Sequence, residues 1–389
     1  MKVLFLTHSF PRFATDPVGS FVLRLAVALA PLGVEVRVLA PGAPGLGGLD
    51  RFEGITVERF RYAPRRLETL AYTGTMRQQV AASWSARLAL GGLLAAGYAH
   101  GMRSCREFGP DLVHAHWWFP GGLVGRWLRR EGLRPLVTTL HGSDLRLAEG
   151  SALGASLMRG VLNASDAVTA VSSWLAEAAS ALAPGVVPAV VPMPVHTDLF
   201  PAGAESGRTR LLFVGKLNPQ KGSEYLFRAL ARMRQRLEVD IVVGIGSDEA
   251  AARARATELG IADRLRWHPL LPQIELARLY RGASALVMPA TDEGLGLVAV
   301  EAQLSGTPVV GFRSGGLPDV VAHEATGLLV APRDDVALAA ALDRVVTQPE
   351  EAMRWGREGR RRALERFAPE AAARSFRQIY DRVLTGAGR

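Results

Sequence analysis

The sequence predicts an α/β protein of two doubly wound domains, each a parallel sheet covered by helices on both faces. Three observations lead to this fold class. Short, continuous apolar runs alternate with helical patterns along the chain, and such runs indicate strands buried on both faces. The alternation occurs in two successive blocks. The length of 389 residues also suits two domains of ordinary size.

The predicted strands are short and rich in Val, Leu and Ala. In the first half they are Val3–Leu6, Val34–Leu39, Asp111–His114, Leu136–Thr139, Ala167–Val171 and Ala189–Val191. In the second half they are Leu211–Val214, Asp240–Val243, Arg264–Trp267, Ala285–Met288, Pro308–Val310 and Gly327–Val330. A polar stretch rich in Gly, Ala and Ser, Pro201–Thr209, predicts a linker between the halves. An amphipathic helix is expected over about Pro369–Leu384.

Composition excludes several classes of protein. Apolar residues make up 48% of the chain and charged residues 21%, which are the proportions of a globular protein rather than a disordered one. The single cysteine, Cys105, forms no intramolecular disulfide, so no oxidising compartment is needed. The longest apolar stretch, Leu88–Ala99, is too short for a membrane-spanning helix, and the N-terminus turns polar too early for a signal peptide. A cytoplasmic location is expected.

The net charge of +9 is mild for this length, and no dense basic block is interleaved with aromatic residues, so nucleic acid is not an expected partner. Between Arg77 and Arg106, arginines alternate with Trp84, Leu88 and other apolar residues. This pattern is compatible with an interfacial helix that makes peripheral contact with the inner face of a membrane, and also with a core helix of the first domain.

The segment from Leu286 to Ala302 is the most informative for function. A buried strand ends at Pro289, a short glycine-containing turn follows, and a helix is predicted to begin near Gly296. Free backbone N–H groups at a helix start, beside glycines that admit a ligand, form an anion site. Glu293 and Glu301 flank this site and could accept hydrogen bonds from the hydroxyls of a ribose. The two residues are also compatible with a helix-start acid and a solvated helix face.

A second candidate segment runs from Leu211 to Gly222, where a strand leads into a glycine turn with Lys216 and Lys221. Two cations beyond the carboxyl end of a strand suit a diphosphate, although surface lysines are the ordinary alternative. Among 46 basic residues the chain has only one other lysine, Lys2, which weakens that alternative.

Polar residues also follow the predicted strands of the first half. His114 and His116 lie on one face of their strand; His114 suits a core position, and His116 lies nearer the strand end and is expected to reach a cleft. His141 and Asp144 follow the next strand and are expected to contact the acceptor or line the cleft, and Gly19 ends the loop that precedes a helix. A third metal ligand at a recognisable spacing is lacking, and so are an Asp-x-Asp and a G-x-S-x-G motif, so neither a bound metal nor a hydrolase with a serine nucleophile elbow is expected.

Glu293-Gly-Leu-Gly-Leu-x3-Glu301 resembles the E-x7-E motif of the retaining glycosyltransferases of family 4. The resemblance covers nearly the whole chain, in matching order and spacing. It includes the Gly19 loop, the strand into His116, Thr139-Leu-His-Gly142, Val214-Gly-Lys-Leu-x3-Lys221-Gly, Gly306-Thr-Pro-Val-Val310, Gly315-Gly-Leu-Pro-Asp319 and Gly327-Leu-Leu-Val330. The chain departs from the family pattern at Leu295, at Pro192-Met-Pro-Val-His196 and at Asp319.

The resemblance implies the GT-B fold, in which two Rossmann-like domains face each other across a cleft. The first domain, 1–200, would bind the acceptor, and the second, 207–368, the nucleotide-diphosphate sugar; a C-terminal helix at about 369–386 would pack back on the first. Glu301 would bind the donor ribose and Glu293 the transferred sugar. The other implied site residues are Lys216 and Lys221 at the diphosphate, the backbone of Gly294, Leu295, Gly296 and Leu297 at the phosphate and sugar, His116 at the reaction centre, and Gly19 in the donor–acceptor pocket.

The implied activity is metal-independent transfer, with retention, from a UDP- or GDP-sugar to a glycan, lipid or small-molecule acceptor, without any further cofactor. A nucleotide-sugar epimerase or hydrolase of the same fold is the alternative enzyme. A non-catalytic sugar-nucleotide-binding or membrane-scaffold protein is the alternative of another class.

Overall fold

The computed structural model describes residues 1–13, 16–203 and 208–386. The chain divides into two compact units, Met1–Pro194 with Pro369–Arg389, and Val195–Ala368. The division comes shortly before the predicted linker Pro201–Thr209, of which residues 204–207 lie outside the described residues.

In the described part of the first unit, eight strands form one sheet in the order β3-β4-β2-β1-β5-β6-β7-β8. Neighbouring strands are parallel except for β3 and β4. The strands are β1 (Lys2–Leu6), β2 (Glu35–Pro41), β3 (Gly48–Phe52), β4 (Ile55–Phe60), β5 (Leu112–His116), β6 (Leu136–Leu140), β7 (Ala167–Ala170) and β8 (Ala189–Val190). The chain changes its direction of winding between β1 and β5, which therefore form the switch point of this sheet.

Helices connect these strands and cover the sheet. They are α1 (Ser20–Leu29), α2 (Met76–Ala82), α3 (Trp84–Glu107), α4 (Leu123–Arg130), α5 (Ser143–Glu149), α6 (Ala152–Leu162) and α7 (Ser173–Leu182). One core cluster lies between α3, α4 and the sheet, and includes Leu93, Leu128 and Leu136.

The hairpin of β3 and β4 is missing from the sequence prediction. Its closing pair is Phe52 and Ile55, so Glu53 and Gly54 form a two-residue turn. Both turn residues have positive φ angles, as the favoured hairpin turn requires. The buried positions of β4 include Glu58 and Arg59, which obscure the apolar pattern that identifies the other strands.

In the described part of the second unit, six parallel strands form a sheet in the order β11-β10-β9-β12-β13-β14, with its switch point between β9 and β12. The strands are β9 (Arg210–Gly215), β10 (Glu238–Val243), β11 (Leu265–His268), β12 (Ala283–Met288), β13 (Val309–Phe312) and β14 (Gly327–Val330). The helices are α8 (Ser223–Arg232), α9 (Glu249–Glu258), α10 (Gln273–Gly282), α11 (Leu297–Leu304), α12 (Leu317–Val320), α13 (Asp335–Thr347) and α14 (Pro349–Phe367).

The final helix, α15 (Pro369–Thr385), belongs to the first unit and contacts α1. Its buried face includes Phe376, Ile379 and Tyr380, which are residues of the predicted amphipathic stripe. Among the described residues, no helix is long and apolar enough to cross a membrane.

Candidate active site

Two loops at the carboxyl edge of the second sheet pack directly against each other. One follows β9 and contains Gly222; the other follows β12 and contains Pro289. The backbone N–H of Thr291 donates to the carbonyl oxygen of Gln220 over 2.9 Å. A Cβ on Gly222 would lie 1.9 Å from the Pro289 carbonyl oxygen, and φ is +73° there. Only glycine satisfies both conditions, so this contact fixes the two loops at the switch point.

The two loops bring Lys221 and Glu293 together. The Lys221 Nζ donates to the Glu293 Oε2 over 2.6 Å, and both side chains are partly exposed. The backbone N–H of Lys221 donates to the side chain of Asn218, which holds the turn. On the other side, the N–H of Gly316 donates to the Glu293 carbonyl oxygen over 2.7 Å. The sequence predicted both residues at this edge but not their ion pair.

The helix start predicted near Gly296 is confirmed. Gly296 occupies the N-cap position of α11 with a φ of +92°, and the helix begins at Leu297. Gly294 and Leu295 are buried directly before it, and Leu297 is half-buried. The first helical N–H groups have no acceptor within the helix, so this end of α11 has the donors that an anion needs.

Glu301 is more enclosed than the sequence suggested. Its side chain is 8% exposed and accepts hydrogen bonds from the Tyr280 hydroxyl at 2.9 Å and the Gln273 amide at 3.5 Å. Burial raises the pKa of the Glu301 carboxyl to about 7. The alternative interpretation of Glu301 as part of a solvated helix face is therefore wrong. Sequence reasoning missed Tyr280, whose contact with Glu301 has no local sequence signal.

Lys216 lies immediately after β9, and its side chain is exposed. Its backbone N is close to Gly244, where a Cβ would lie at 2.9 Å. Within the described ranges no carboxylate pairs with the Lys216 ammonium, which distinguishes it from Lys221 and leaves its charge available.

In the first unit, His114 and His116 share one face of β5, as strand alternation predicted, with ring centres 4.3 Å apart. His114 is completely buried and is hydrogen-bonded to the hydroxyls of Tyr380 at 2.7 Å and Thr139 at 2.6 Å. Its interpretation as a core histidine is confirmed. Burial, with the nearby His116 and His141, holds its pKa well below the ordinary value, so His114 is neutral.

His116 does not reach an open surface in this structure, contrary to expectation. Its side chain is 0% exposed, because its ring packs against Phe5 and is hydrogen-bonded to the His141 Nε2 at 3.1 Å. Burial lowers the pKa of His116 to about 3, so the ring is neutral. Its Nε2 is buried and makes no hydrogen bond to the described residues, and the same is true of the Nδ1 of His8.

Asp144 does not lie at an open surface either. Its side chain is buried, and its carboxylate accepts the backbone N–H groups of Trp118 at 2.9 Å, His141 at 2.5 Å and Gly142 at 3.2 Å. Burial raises its pKa to about 6. The carboxylate therefore anchors the loop after β6 to the loop after β5. His141 is the half-buried member of this loop.

The rings of His141, Trp117 and His8 form an aromatic cluster that sequence reasoning found only in part. Trp117 lies 4.2 Å from His141 and 4.6 Å from His8, measured between ring centres. Burial lowers the pKa of His8 to about 4. His8 lies two residues beyond the end of β1, so the rule that placed His141 beyond a strand end would also have found His8.

Gly19 lies at the N-cap of α1 with a φ of +71°. A Cβ there would lie 2.3 Å from the Ser9 carbonyl oxygen, so the loop after β1 closes tightly on itself. Residues 14–15 of this loop lie outside the described residues. Throughout the described ranges, no group of three or more His, Cys, Asp or Glu side chains is arranged to hold a metal ion.

Two family profiles match the chain, and together they span most of it. Residues 18–199 match glycosyltransferase family 4, and residues 196–362 match glycosyl transferases group 1. A D-inositol 3-phosphate glycosyltransferase of Streptomyces griseus is 30% identical over 416 aligned positions, covering 94% of this chain and 84% of that protein.

Solved structures show the same fold. Sucrose-phosphate synthase of Thermosynechococcus elongatus superposes with a TM-score of 0.81 at 25% identity, covering 99% of both chains. Anabaena HepE in complex with UDP and glucose superposes with a TM-score of 0.72 at 19% identity, covering 98% of this chain and 99% of that one. The chain belongs to glycosyltransferase family 4 and is a retaining, nucleotide-sugar-dependent glycosyltransferase with the GT-B fold.

Proposed function

We propose that this glycosyltransferase moves a sugar from a UDP- or GDP-linked donor to a hydroxyl group of a glycan, lipid or small-molecule acceptor, without a metal ion. The observation that carries the proposal is the Lys221–Glu293 pair beside the N-terminus of α11. A cation and free N–H groups suit a diphosphate, and a carboxylate beside them suits the hydroxyls of the attached sugar.

The donor roles are distributed over the second unit. Lys221 and the exposed Lys216 bind the diphosphate, and the backbone of Gly294 to Leu297 holds the phosphate and sugar. Glu293 binds the transferred sugar, and Glu301 accepts hydrogen bonds from the ribose once its carboxyl is ionised. Two ammonium groups and a helix N-terminus stabilise the charge that develops on the leaving diphosphate, which supports metal-independent transfer.

The acceptor roles fall to the first unit. The neutral His116 ring, with its unpartnered Nε2, suits a sugar hydroxyl rather than proton transfer, because its pKa of about 3 is far from neutral pH. His141 contributes to the same acceptor region, and Gly19 permits the close approach of a ligand. Asp144 contributes indirectly, because its carboxylate anchors the loop that contains His141.

Retention follows if the acceptor hydroxyl attacks the anomeric carbon on the face from which the diphosphate leaves. The C–O bond to the diphosphate breaks, the new glycosidic bond forms, and the hydroxyl proton passes to the departing phosphate oxygen. The protein's part is to orient both substrates and to stabilise the leaving group's charge. A cytoplasmic location suits the chain, since its single cysteine, Cys105, is buried and forms no disulfide.

UDP-sugars are the first donors to test, because the structure of Anabaena HepE contains UDP and glucose. D-inositol 3-phosphate is the first acceptor to test, because the Streptomyces griseus relative is named for this compound. A thermal-shift panel of UDP, GDP and ADP would identify the base, and product analysis would then compare donor alone with donor plus acceptor. Transfer that needs the acceptor supports the proposal. An altered or hydrolysed donor without any acceptor would instead support an epimerase or hydrolase.

A further inference from the structure

The outer face of α3 is apolar although it is open to solvent. Trp84 is 75% exposed and Leu88 is 77% exposed, and they are followed on the same helix face by the exposed Gly91 and Ala95. The inner face of this helix is also apolar and packs on the sheet through Ala89, Leu93 and Gly97. A helix that is apolar on both sides is expected to have both sides covered.

The charged side chains of this stretch of sequence are all basic. The sequence has no Asp or Glu from Thr69 to Arg106. The exposed Arg65 and Arg66 belong to a helical turn that contacts α3. The guanidinium of Arg87 lies 4.6 Å from the centre of the Trp84 ring. Apolar side chains among arginines, on a stretch of sequence without an acid, are complementary to an anionic lipid surface, where the arginines meet phosphates and Trp84 enters the headgroup region.

The position of α3 brings this face to the carboxyl edge of the first sheet, where His116 and His141 lie. The helix connects β4 to β5, so it begins at the carboxyl end of β4. Its 24 residues span about 36 Å, roughly twice the length of a five-residue strand. Its far end is held beside the start of β1, where the Lys2 ammonium donates to the Phe108 carbonyl. The Trp84 end therefore extends past the carboxyl edge of the sheet.

We infer that the outer face of α3, with Arg65, Arg66 and Arg87, docks on an anionic phospholipid membrane. The docked chain holds the carboxyl edge of its first sheet close to the lipid, which suits an acceptor presented at the membrane surface. This inference does not depend on the identity of the donor sugar. A second copy of the chain is the competing occupant, but the excess of arginines on this surface opposes contact with an identical surface.

Flotation of the full chain with vesicles at physiological salt tests the inference. Wild-type protein should float with vesicles of phosphatidylcholine and phosphatidylglycerol but not with phosphatidylcholine alone. Replacing both Trp84→Ser and Leu88→Ser should weaken binding about tenfold or more. The matched control, Leu49→Ser with Val187→Ser, removes two equally exposed apolar side chains and should leave binding unchanged.

Further arms separate the competing outcomes. The double change Arg65→Gln and Arg66→Gln should weaken binding to anionic vesicles, and so should added salt. Each variant should keep the wild-type thermal shift with UDP, so a failure here is distinct from a failure of donor binding. The inference is overturned if wild-type protein does not bind anionic vesicles, or if the Leu49→Ser, Val187→Ser control loses as much binding as the Trp84→Ser, Leu88→Ser variant. It is also overturned if sedimentation shows a dimer of the wild type that the Trp84→Ser, Leu88→Ser variant does not form.

Discussion

The Lys221 ammonium lies 2.6 Å from the Glu293 carboxylate, although the two residues are 72 positions apart in the chain. The pair is partly exposed, so each charge can be reached by a ligand. Without a donor, the two groups neutralise each other. A bound diphosphate would compete with Glu293 for the ammonium. The sugar hydroxyls would then donate hydrogen bonds to the Glu293 carboxylate.

The first prediction concerns Lys221→Ala. This variant should lower kcat/KM by about 10²–10³-fold, because the leaving diphosphate loses a positively charged hydrogen-bond donor. Lys2→Ala is the matched control and should leave the rate unchanged. It also removes a lysine, but one at the start of β1, on the edge of the first sheet away from its histidines. Initial-rate kinetics measure kcat/KM for both variants, and circular dichroism checks that each is folded. Near-normal turnover of Lys221→Ala would remove this residue from the site.

Glu293→Gln should separate nucleotide binding from transfer. The amide no longer neutralises Lys221, so the Kd for UDP should stay the same or fall. The rate of transfer should drop by about 10–100-fold, because the sugar loses a charged acceptor. Calorimetry with UDP and rate measurements with the complete donor test the two effects separately. A large rise in the Kd for UDP would assign Glu293 to the nucleotide instead.

Tyr280→Phe should change the pH dependence of donor binding. The hydroxyl of Tyr280 lowers the pKa of Glu301 against the larger effect of burial, which raises it to about 7. Because the proposed contact with the ribose needs the ionised carboxylate, UDP affinity should increase as pH rises through about 7. In the variant this midpoint should move to higher pH, whereas Tyr98→Phe in the first unit should not move it. An unchanged midpoint in Tyr280→Phe would contradict this account of Glu301.

A paired glycine experiment tests the contact between the two loops. Gly222→Ala should destabilise the second unit by about 3 kcal/mol or more, because the new Cβ meets the Pro289 carbonyl at 1.9 Å. Gly246→Ala should cost only about 1 kcal/mol, since φ is +83° but nothing lies within 4 Å. Calorimetric unfolding of both variants measures the difference. Equal losses would show that backbone conformation, and not the close approach, explains Gly222.

Removal of divalent cations is the fifth test. Transfer should be unchanged by EDTA, because in the proposed site Lys216, Lys221 and the start of α11 supply the positive charge at the leaving group. The assay compares rates before and after chelation, with Mg²⁺ and Mn²⁺ added back. A clear loss that either cation restores would refute metal-independent transfer.

The strands were predictable wherever burial on both faces produced a continuous apolar run. The strand β4 was missed because buried charges interrupt its run. Glu58 accepts a hydrogen bond from Arg103, and Arg59 donates to the Tyr72 hydroxyl, so both are buried with partners. The Glu53-Gly54 turn was the one local signal for this hairpin.

The sequence by itself determined the α/β class, the strands that carry site residues, and the glycine that begins α11, since these depend on local periodicity and backbone freedom. Only the tertiary structure decided which side chains meet: Lys221 with Glu293, and Tyr280 with Glu301. It also buried Asp144, which sequence reasoning had expected in a cleft. Burial and pairing depend on contacts between distant segments, and one strand pattern is compatible with many such contacts.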